Sequence, residues 1–204
     1  MAAQQTWFEK LGYSYNPFTI KPGFFDDEVI GYDKEIDNII KMINDSEMMY
    51  LEGDFGQGKT TILTYIINEF SGKNKIAQIH RSRKDRTFNY EKLLVGANGA
   101  IQKSLGLKAK NVILIVDEAN SLNAKDCAKI EQYHNEGHFK SVLFMDSSFS
   151  ESPLTKPLKD KIGKNIITLK KLSQSDAVNL VRSRLEGKED LISDETIKKV
   201  YEKS

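Results

Sequence analysis

The sequence predicts an α/β domain whose sheet is covered by helices on both faces. One observation is the run Val112-Ile113-Leu114-Ile115-Val116, a continuous apolar stretch rich in β-branched residues. That is the pattern of a central strand buried on both sides. A second is Met48-Met49-Tyr50-Leu51, followed by a glycine-rich turn and then by the apolar-periodic run from Ile62 to Phe70, which reads as strand, turn and helix. The third is size. A chain of 204 residues, 39% hydrophobic and 29% charged, is long enough to bury one α/β core with room for part of a second unit.

The bulk properties exclude several classes. With 30 basic and 29 acidic residues the formal charge is +1, so binding to nucleic acid or a membrane surface requires a local patch. Cys127 is the single cysteine; it cannot form an internal disulfide and fits a reducing compartment. The run Val112 to Val116 is too short to span a bilayer. The start, Met1-Ala2-Ala3-Gln4-Gln5, leads into no signal-like apolar segment. A cytoplasmic protein without membrane insertion is the expectation.

The turn after Leu51 carries the chemistry. Gly53-Asp54-Phe55-Gly56-Gln57-Gly58-Lys59-Thr60-Thr61 satisfies G-x-x-x-x-G-K-[ST] between a strand and a helix. Its glycines permit a turn tight enough to aim successive N–H groups at phosphate oxygens, and the new helix adds the positive end of its dipole. Lys59 is placed to reach the β- and γ-phosphates of a nucleoside triphosphate, and the Thr60 hydroxyl to ligate Mg²⁺. ATP and Mg²⁺ are the expected ligands.

Upstream, residues Trp7 to Pro22 mix aromatics with turn formers, and Pro17 biases Asn16 toward extended geometry, so Tyr15 to Ile20 is expected to lie along the surface. Val29-Ile30-Gly31-Tyr32 precedes a helix from Asp33 with Ile36, Ile39, Ile40 and Ile43 on one face. Val29 and Ile30 are placed either to pack on a nucleotide base or simply to seal the helix entry. Downstream, Ser71-Gly72 ends the helix that follows the phosphate loop. Lys75 to His80 reads as a strand leading into the basic segment Arg81 to Arg86, and Asn89 to Leu107 as one helical stretch despite Gly96 and Gly99.

Asp117-Glu118 closes the central strand. A carboxylate there is where Mg²⁺ is held, which fits Asp117, and Glu118 is positioned to orient and deprotonate a water for attack on a γ-phosphate. Asn123 to Tyr133 reads as a helix ending near Gly137, and Val142 to Met145 as a second buried strand ending in Asp146-Ser147-Ser148. Ser148 and Ser147 are placed either to sense the γ-phosphate or to cap the loop. Pro153 to Lys161 predicts a short helix and Ile166 to Leu169 a short strand. Ser173-x-x-Asp176 resembles a capping box, opening a helix with Ala177, Leu180, Val181 and Leu185 on one face. Ser193 opens another, expected to run to Ser204.

This alternation from Met48 to Leu169, with a strand ending in Asp-Glu after the phosphate loop, resembles the AAA+ ATPases. The entry Val29-Ile30-Gly31-Tyr32-Asp33-x-Glu35, the Asn16-Pro17-Phe18 lead-in and the segment Leu172 to Leu185 are similar to the initiator and origin-recognition branch and its transposition-regulator and secretion-ATPase relatives. The resemblance implies a three-layer α/β/α P-loop NTPase with a parallel five-stranded sheet in order 5-1-4-3-2 and nucleotide between the sheet and a helical lid. It implies a lead-in over residues 1–28, a nucleotide-binding domain over 29–171 and the opening of a lid over 172–204. Walker A then falls on Gly53, Gly58, Lys59 and Thr60, Walker B on Asp117 and Glu118, and sensor 1 on Ser148. Two departures stand out. The arginines are Arg81, Arg83, Arg86, Arg182 and Arg184, so the Pro157 to Lys164 region offers lysines where the family supplies an arginine finger to a neighbouring subunit. A sensor 2 arginine would lie beyond Ser204. Assembly into a homo-oligomer through the nucleotide face is the family's habit, and these departures bear on it directly.

Other readings fit less well. No Asn-Lys-x-Asp follows to read guanine, and Leu172 to Asp176 is only faintly like the ABC transporter signature, on the wrong side of Asp117. Cys127, Glu131, His134 and His138 share a helical spacing that zinc ligands can adopt, but Gly137 interrupts it, and a solvated helix face is the better reading. A nucleotide-gated switch that hydrolyses little, or a protein-remodelling ATPase, remains the alternative to DNA-linked action. The basic segments Arg81 to Arg86 and Lys156 to Lys171, with the family resemblance, favour duplex DNA as a partner.

Overall fold

The computed structural model describes residues 6–19, 29–72, 75–80, 88–185 and 187–203. The chain divides into two compact units, Tyr32–Lys170 and Met1–Gly31 together with Lys171–Ser204. The basic segment Arg81 to Arg86 and the end of the lead-in lie outside the described residues. The strands are β1 (Met48–Glu52), β2 (Lys75–His80), β3 (Val112–Asp117), β4 (Phe139–Asp146) and β5 (Ile166–Thr168). The helices begin with α1 (Trp7–Lys10), α2 (Asp33–Asn44), α3 (Lys59–Phe70), α4 (Tyr90–Gly96) and α5 (Ala100–Ser104). They continue with α6 (Ala124–Asn135), α7 (Lys156–Ile162), α8 (Gln174–Leu185) and α9 (Asp194–Tyr201).

In the larger unit all five strands are parallel, in spatial order β2-β3-β4-β1-β5. Read from the other edge this is the expected 5-1-4-3-2. Parallel neighbours need crossover connections, and the helices between strands supply them while covering the faces. On one face Met48, Tyr50, Leu114, Val116, Val142 and Phe144 join Leu94 of α4, Ile130 of α6 and Leu158 of α7 in a single apolar cluster. The alternate residues Met49, Leu51, Ile113, Ile115 and Leu143 are just as fully buried and point to the opposite face, where α2 lies against β1 and β4. Ile36, Ile39 and Ile43 form the buried stripe of α2. The central run of β3 is thus covered on both sides, as its composition demands.

Two differences from the sequence reading have local causes. The stretch 89–107 is two helices, because the chain turns out after Ala97 and restarts with Gly99 as the N-cap of α5. The Asn98 carboxamide holds that break, donating to the Leu107 carbonyl and accepting from the Lys75 ammonium. The last helix stops at Tyr201 instead of running on.

The smaller unit is tied by side chains that reach backbone carbonyls. Tyr13 Oη donates to the Leu185 carbonyl at 2.7 Å, Arg184 to that of Thr19 at 3.0 Å, and Tyr201 Oη to that of Leu172 at 2.6 Å. α1 opens with a full capping box of Thr6 and Glu9, a helix that the sequence reading passed over. The Ser173 hydroxyl accepts from the Asp176 amide at 3.1 Å, which starts α8 as expected, and Arg182 pairs with Asp194 to join α8 to α9. Val29 and Ile30 belong to this unit and are half-buried. Among the described residues no helix is long and apolar enough to cross a membrane.

Candidate functional site

Because every strand of the sheet runs the same way, the segments that follow β1, β3 and β4 all leave from one rim. Register fixes their relation. Glu52, the last residue of β1, is level with Asp146, the last of β4, and Phe144 of β4 is level with Val116 of β3. The phosphate loop and the Asp117-Glu118 pair therefore sit on the same rim, with β4 between them. Two strand spacings, roughly 10 Å, separate the backbones of β1 and β3.

The loop is shaped by its glycines. Gly56 and Gly58 have φ of 84° and 86°, a region that costs other residues about 1–2 kcal/mol. Gly58 is the N-cap of α3, so the helix's first N–H groups and its positive dipole end face the hollow of the loop. Gly53 is buried, and a Cβ there would stand 2.7 Å from Gln57 Oε1 and 3.0 Å from Leu169 Cβ. Gln57 braces the loop: its Oε1 accepts from the Asp54 amide at 2.8 Å. The Lys59 ammonium folds into the loop, donating to the carbonyls of Gly53 at 2.6 Å and Asp54 at 2.9 Å. Thr60 is exposed and Thr61 half-buried on the first turn of α3, Asp54 is exposed, and the Phe55 ring projects fully into solvent. Phe55 can contribute to a phosphate site only through its backbone.

At the end of β3 Asp117 is half-buried and Glu118 exposed. Glu118 adopts φ 57° and ψ 53° at the head of a single 3₁₀ turn, Ala119–Ser121. This left-handed conformation is uncommon for a side chain of that size. Around it the Glu118 amide donates to Asp117 Oδ1 at 3.0 Å, and the Ser121 amide to the Glu118 carbonyl at 2.9 Å.

The end of β4 makes connections that sequence reading missed. Asp146 Oδ2 accepts from the Asn120 amide at 2.8 Å, its Oδ1 from the Ser147 amide at 2.7 Å, and its carbonyl from the Gly53 amide at 3.2 Å. The Glu52 carboxylate accepts from the Phe149 amide at 2.8 Å and from the Thr168 hydroxyl at 2.7 Å, clasping β1 between the loop after β4 and β5. Beneath them the buried Tyr50 hydroxyl donates to the Ser148 carbonyl at 3.2 Å. Burial, reinforced by the nearby charges of Asp146 and Glu52, pushes the Tyr50 phenol well above its ordinary range. Ser148 turns its hydroxyl toward Ser150, 2.9 Å away, and Ser147 is exposed with its hydroxyl 3.2 Å from Asp146.

Two of the residues considered for zinc face backbone carbonyls, and the burial of Cys127 corrects the reading of a solvated helix face. The buried Cys127 thiol faces the Pro153 carbonyl, and burial pushes it up. His138 Nδ1 lies 2.7 Å from the Ala109 carbonyl. No group of three or more metal-binding side chains is found among the described residues.

The phosphate loop passes a chemical test for a triphosphate bound with Mg²⁺. It has a cationic ammonium, left-handed glycines, a helix N-terminus and a carboxylate pair on the same rim, all suited to a polyanion carrying a hard cation.

No family model matches the chain, and no curated protein matches it. Solved structures do. Cdc6p from Pyrobaculum aerophilum superposes with a TM-score of 0.63 at 13% identity, over 89% of this chain and 56% of that one. The Orc1 protein of Aeropyrum pernix, solved in complex with DNA, gives 0.59 at 14% identity, over 81% and 52%. A chain of the HORMA:CdnC:Trip13 complex from E. coli MS115-1 gives 0.56 at 15% identity, over 89% and 77%. The chain thus spans little more than half the length of the two archaeal proteins. What is shared is a fold, a five-stranded parallel α/β architecture of the P-loop kind.

Proposed function

We propose that this chain is an AAA+-type ATPase that binds and hydrolyses Mg²⁺–ATP and couples nucleotide state to conformational change in a DNA-linked process. One observation carries the reading: the phosphate loop and the Asp117-Glu118 pair leave the same rim of one parallel sheet, one strand apart. In this reading Lys59 meets the β- and γ-phosphates, and the N–H groups from Gly53 to Thr61 cradle them. Thr60 and Asp117 hold Mg²⁺, which when bound neutralises charge on the phosphate oxygens. Glu118 orients the attacking water and takes its proton, and Ser148 or Ser147 senses the γ-phosphate from the loop after β4.

The partner class rests on less. The basic residues between Lys156 and Lys171 and the likeness to Orc1, which was solved with DNA, favour duplex DNA. The likeness to a chain of the HORMA:CdnC:Trip13 complex favours a second reading, a protein-remodelling ATPase. Assembly of copies through the nucleotide face belongs to either.

Steady-state ATP hydrolysis, measured with and without duplex DNA, tests the proposal. Wild-type protein should turn over ATP in a Mg²⁺-dependent manner, faster with DNA. Glu118→Gln should keep ATP binding and lose about 10²–10⁴-fold in kcat, and Lys59→Ala should lose binding itself. Binding without turnover in wild type would leave only a nucleotide-gated switch. Turnover indifferent to DNA would move the partner to a polypeptide.

A further inference from the structure

The hydrolytic role proposed for Glu118 raises the question of what aims its carboxylate. Its backbone is left-handed, a conformation that a glutamate keeps only when its surroundings impose it. Part of that constraint comes from another strand. The Asn120 amide, two residues beyond Glu118 in the same turn, donates to Asp146 Oδ2 at 2.8 Å. The other oxygen of Asp146 is held by the Ser147 amide at 2.7 Å and the Ser147 hydroxyl at 3.2 Å. The Asp146 carbonyl receives the Gly53 amide at 3.2 Å. One residue of β4 is thereby bonded to the turn that carries the acid, to its own following loop, and to the first residue of the phosphate loop.

From this geometry we infer that Asp146 is a positioning residue for ATP hydrolysis, locking the Glu118 turn to the phosphate loop without touching the nucleotide; the inference rests on the ATPase reading above. Charge strengthens the lock, because amide donors to an ionised carboxylate make shorter and stronger bonds than amide donors to a neutral acceptor. The fold itself does not depend on it. β3 and β4 are joined along their buried lengths, from Val112 to Val116 and from Phe139 to Phe144, whereas Asp146 sits at the rim and is only half-buried. Removing its side chain should therefore loosen the turn and leave the sheet standing.

The test is steady-state hydrolysis by the full chain, with ATP and Mg²⁺ each titrated and thermal melting followed in parallel. Asp146→Ala should lower kcat about 10- to 100-fold, the loss expected for a bond to a charged group. ATP affinity and the Mg²⁺ half-saturation point should stay within about twofold of wild type, the signature of an interaction that matters only to the chemical step. Asp146→Asn keeps one acceptor oxygen and should fall between the two. In combination with Glu118→Gln, Asp146→Ala should cost nothing further, since both would disable one device.

Five results would overturn the inference. An unchanged kcat in Asp146→Ala, with Glu118→Gln inactive, removes Asp146 and leaves the ATPase reading intact. A raised Mg²⁺ requirement, with kcat restored at saturating Mg²⁺, makes Asp146 a metal ligand instead. Additive losses in the double variant, or melting and failed ATP binding in both single variants, reduce it to a scaffold residue. No turnover in wild-type protein takes down the ATPase reading and the inference together.

Discussion

Tyr50 offers a direct measurement of the charges at the sheet rim. Its ring is fully buried in β1, its hydroxyl reaches the Ser148 carbonyl, and burial together with Asp146 and Glu52 raises its ionisation above the ordinary value of 10. A phenol raised in this way stays protonated in the folded protein while the unfolded chain begins to ionise at about pH 10. Below that pH the neutral phenol contributes its full stability. Above it the unfolded state loses its proton first, so stability falls as pH rises from 10 toward the folded value. One pH unit past 10, the loss is about 1.4 kcal/mol from this residue. Tyr50→Phe removes the titration and one neutral hydrogen bond worth about 1 kcal/mol. The variant should be the less stable protein at pH 8, draw level between about pH 10.5 and 11, and be the more stable one beyond. Urea unfolding of both proteins at half-unit steps from about pH 8 to pH 11 reads the crossing. A stability difference that stays flat across that range would refute the burial of this hydroxyl beside two carboxylates.

Further outcomes bear on the loop and the core. Gly58→Ala should destabilise by about 1–2 kcal/mol, because φ is 86° there, while its new methyl would meet only an ordinary 3.6 Å contact with the Tyr32 ring; urea titration checks this, and a stabilised variant would contradict the left-handed geometry. Leu114→Ala, in the middle of β3 with no exposed surface, should cost about 2–5 kcal/mol by leaving a cavity between two covered faces. A loss below about 1 kcal/mol in denaturant unfolding would mean that one face of β3 is open.

The features that could be read from the sequence are those in which chemistry dictates residue type at fixed spacing. Gly53, Gly58, Lys59 and Thr60 could be found because backbone turn, helix start and cation must follow one another along a single stretch of chain. Val112 to Val116 announced a strand covered on both sides, and the structure buries each of its residues fully. Strand order came only through likeness to a family, since the pattern of residues within a strand says nothing of its neighbours. Asp146 and Glu52 escaped notice for the same reason: their work depends on the register that sets Glu52 level with Asp146. The break at Gly99 was visible as a glycine, but the polar ties made by Asn98 to Lys75 and Leu107 join residues far apart in the chain. The capping box of Thr6 and Glu9 was legible as Thr-x-x-Glu.

The placement of β4 between β1 and β3 has an evolutionary and engineering corollary. Side chains along a strand alternate between its two faces, so inserting or deleting one residue within Phe139–Asp146 would invert everything downstream. On a deletion Ser147 would occupy the place of Asp146, and the Asn120 amide would lose its carboxylate partner while the Gly53 amide kept a main-chain carbonyl. Both flanking motifs would keep every one of their own residues and yet be misaligned. Indels should thus be far less tolerable in this strand than in the surface connections, even though no residue of either motif lies within it.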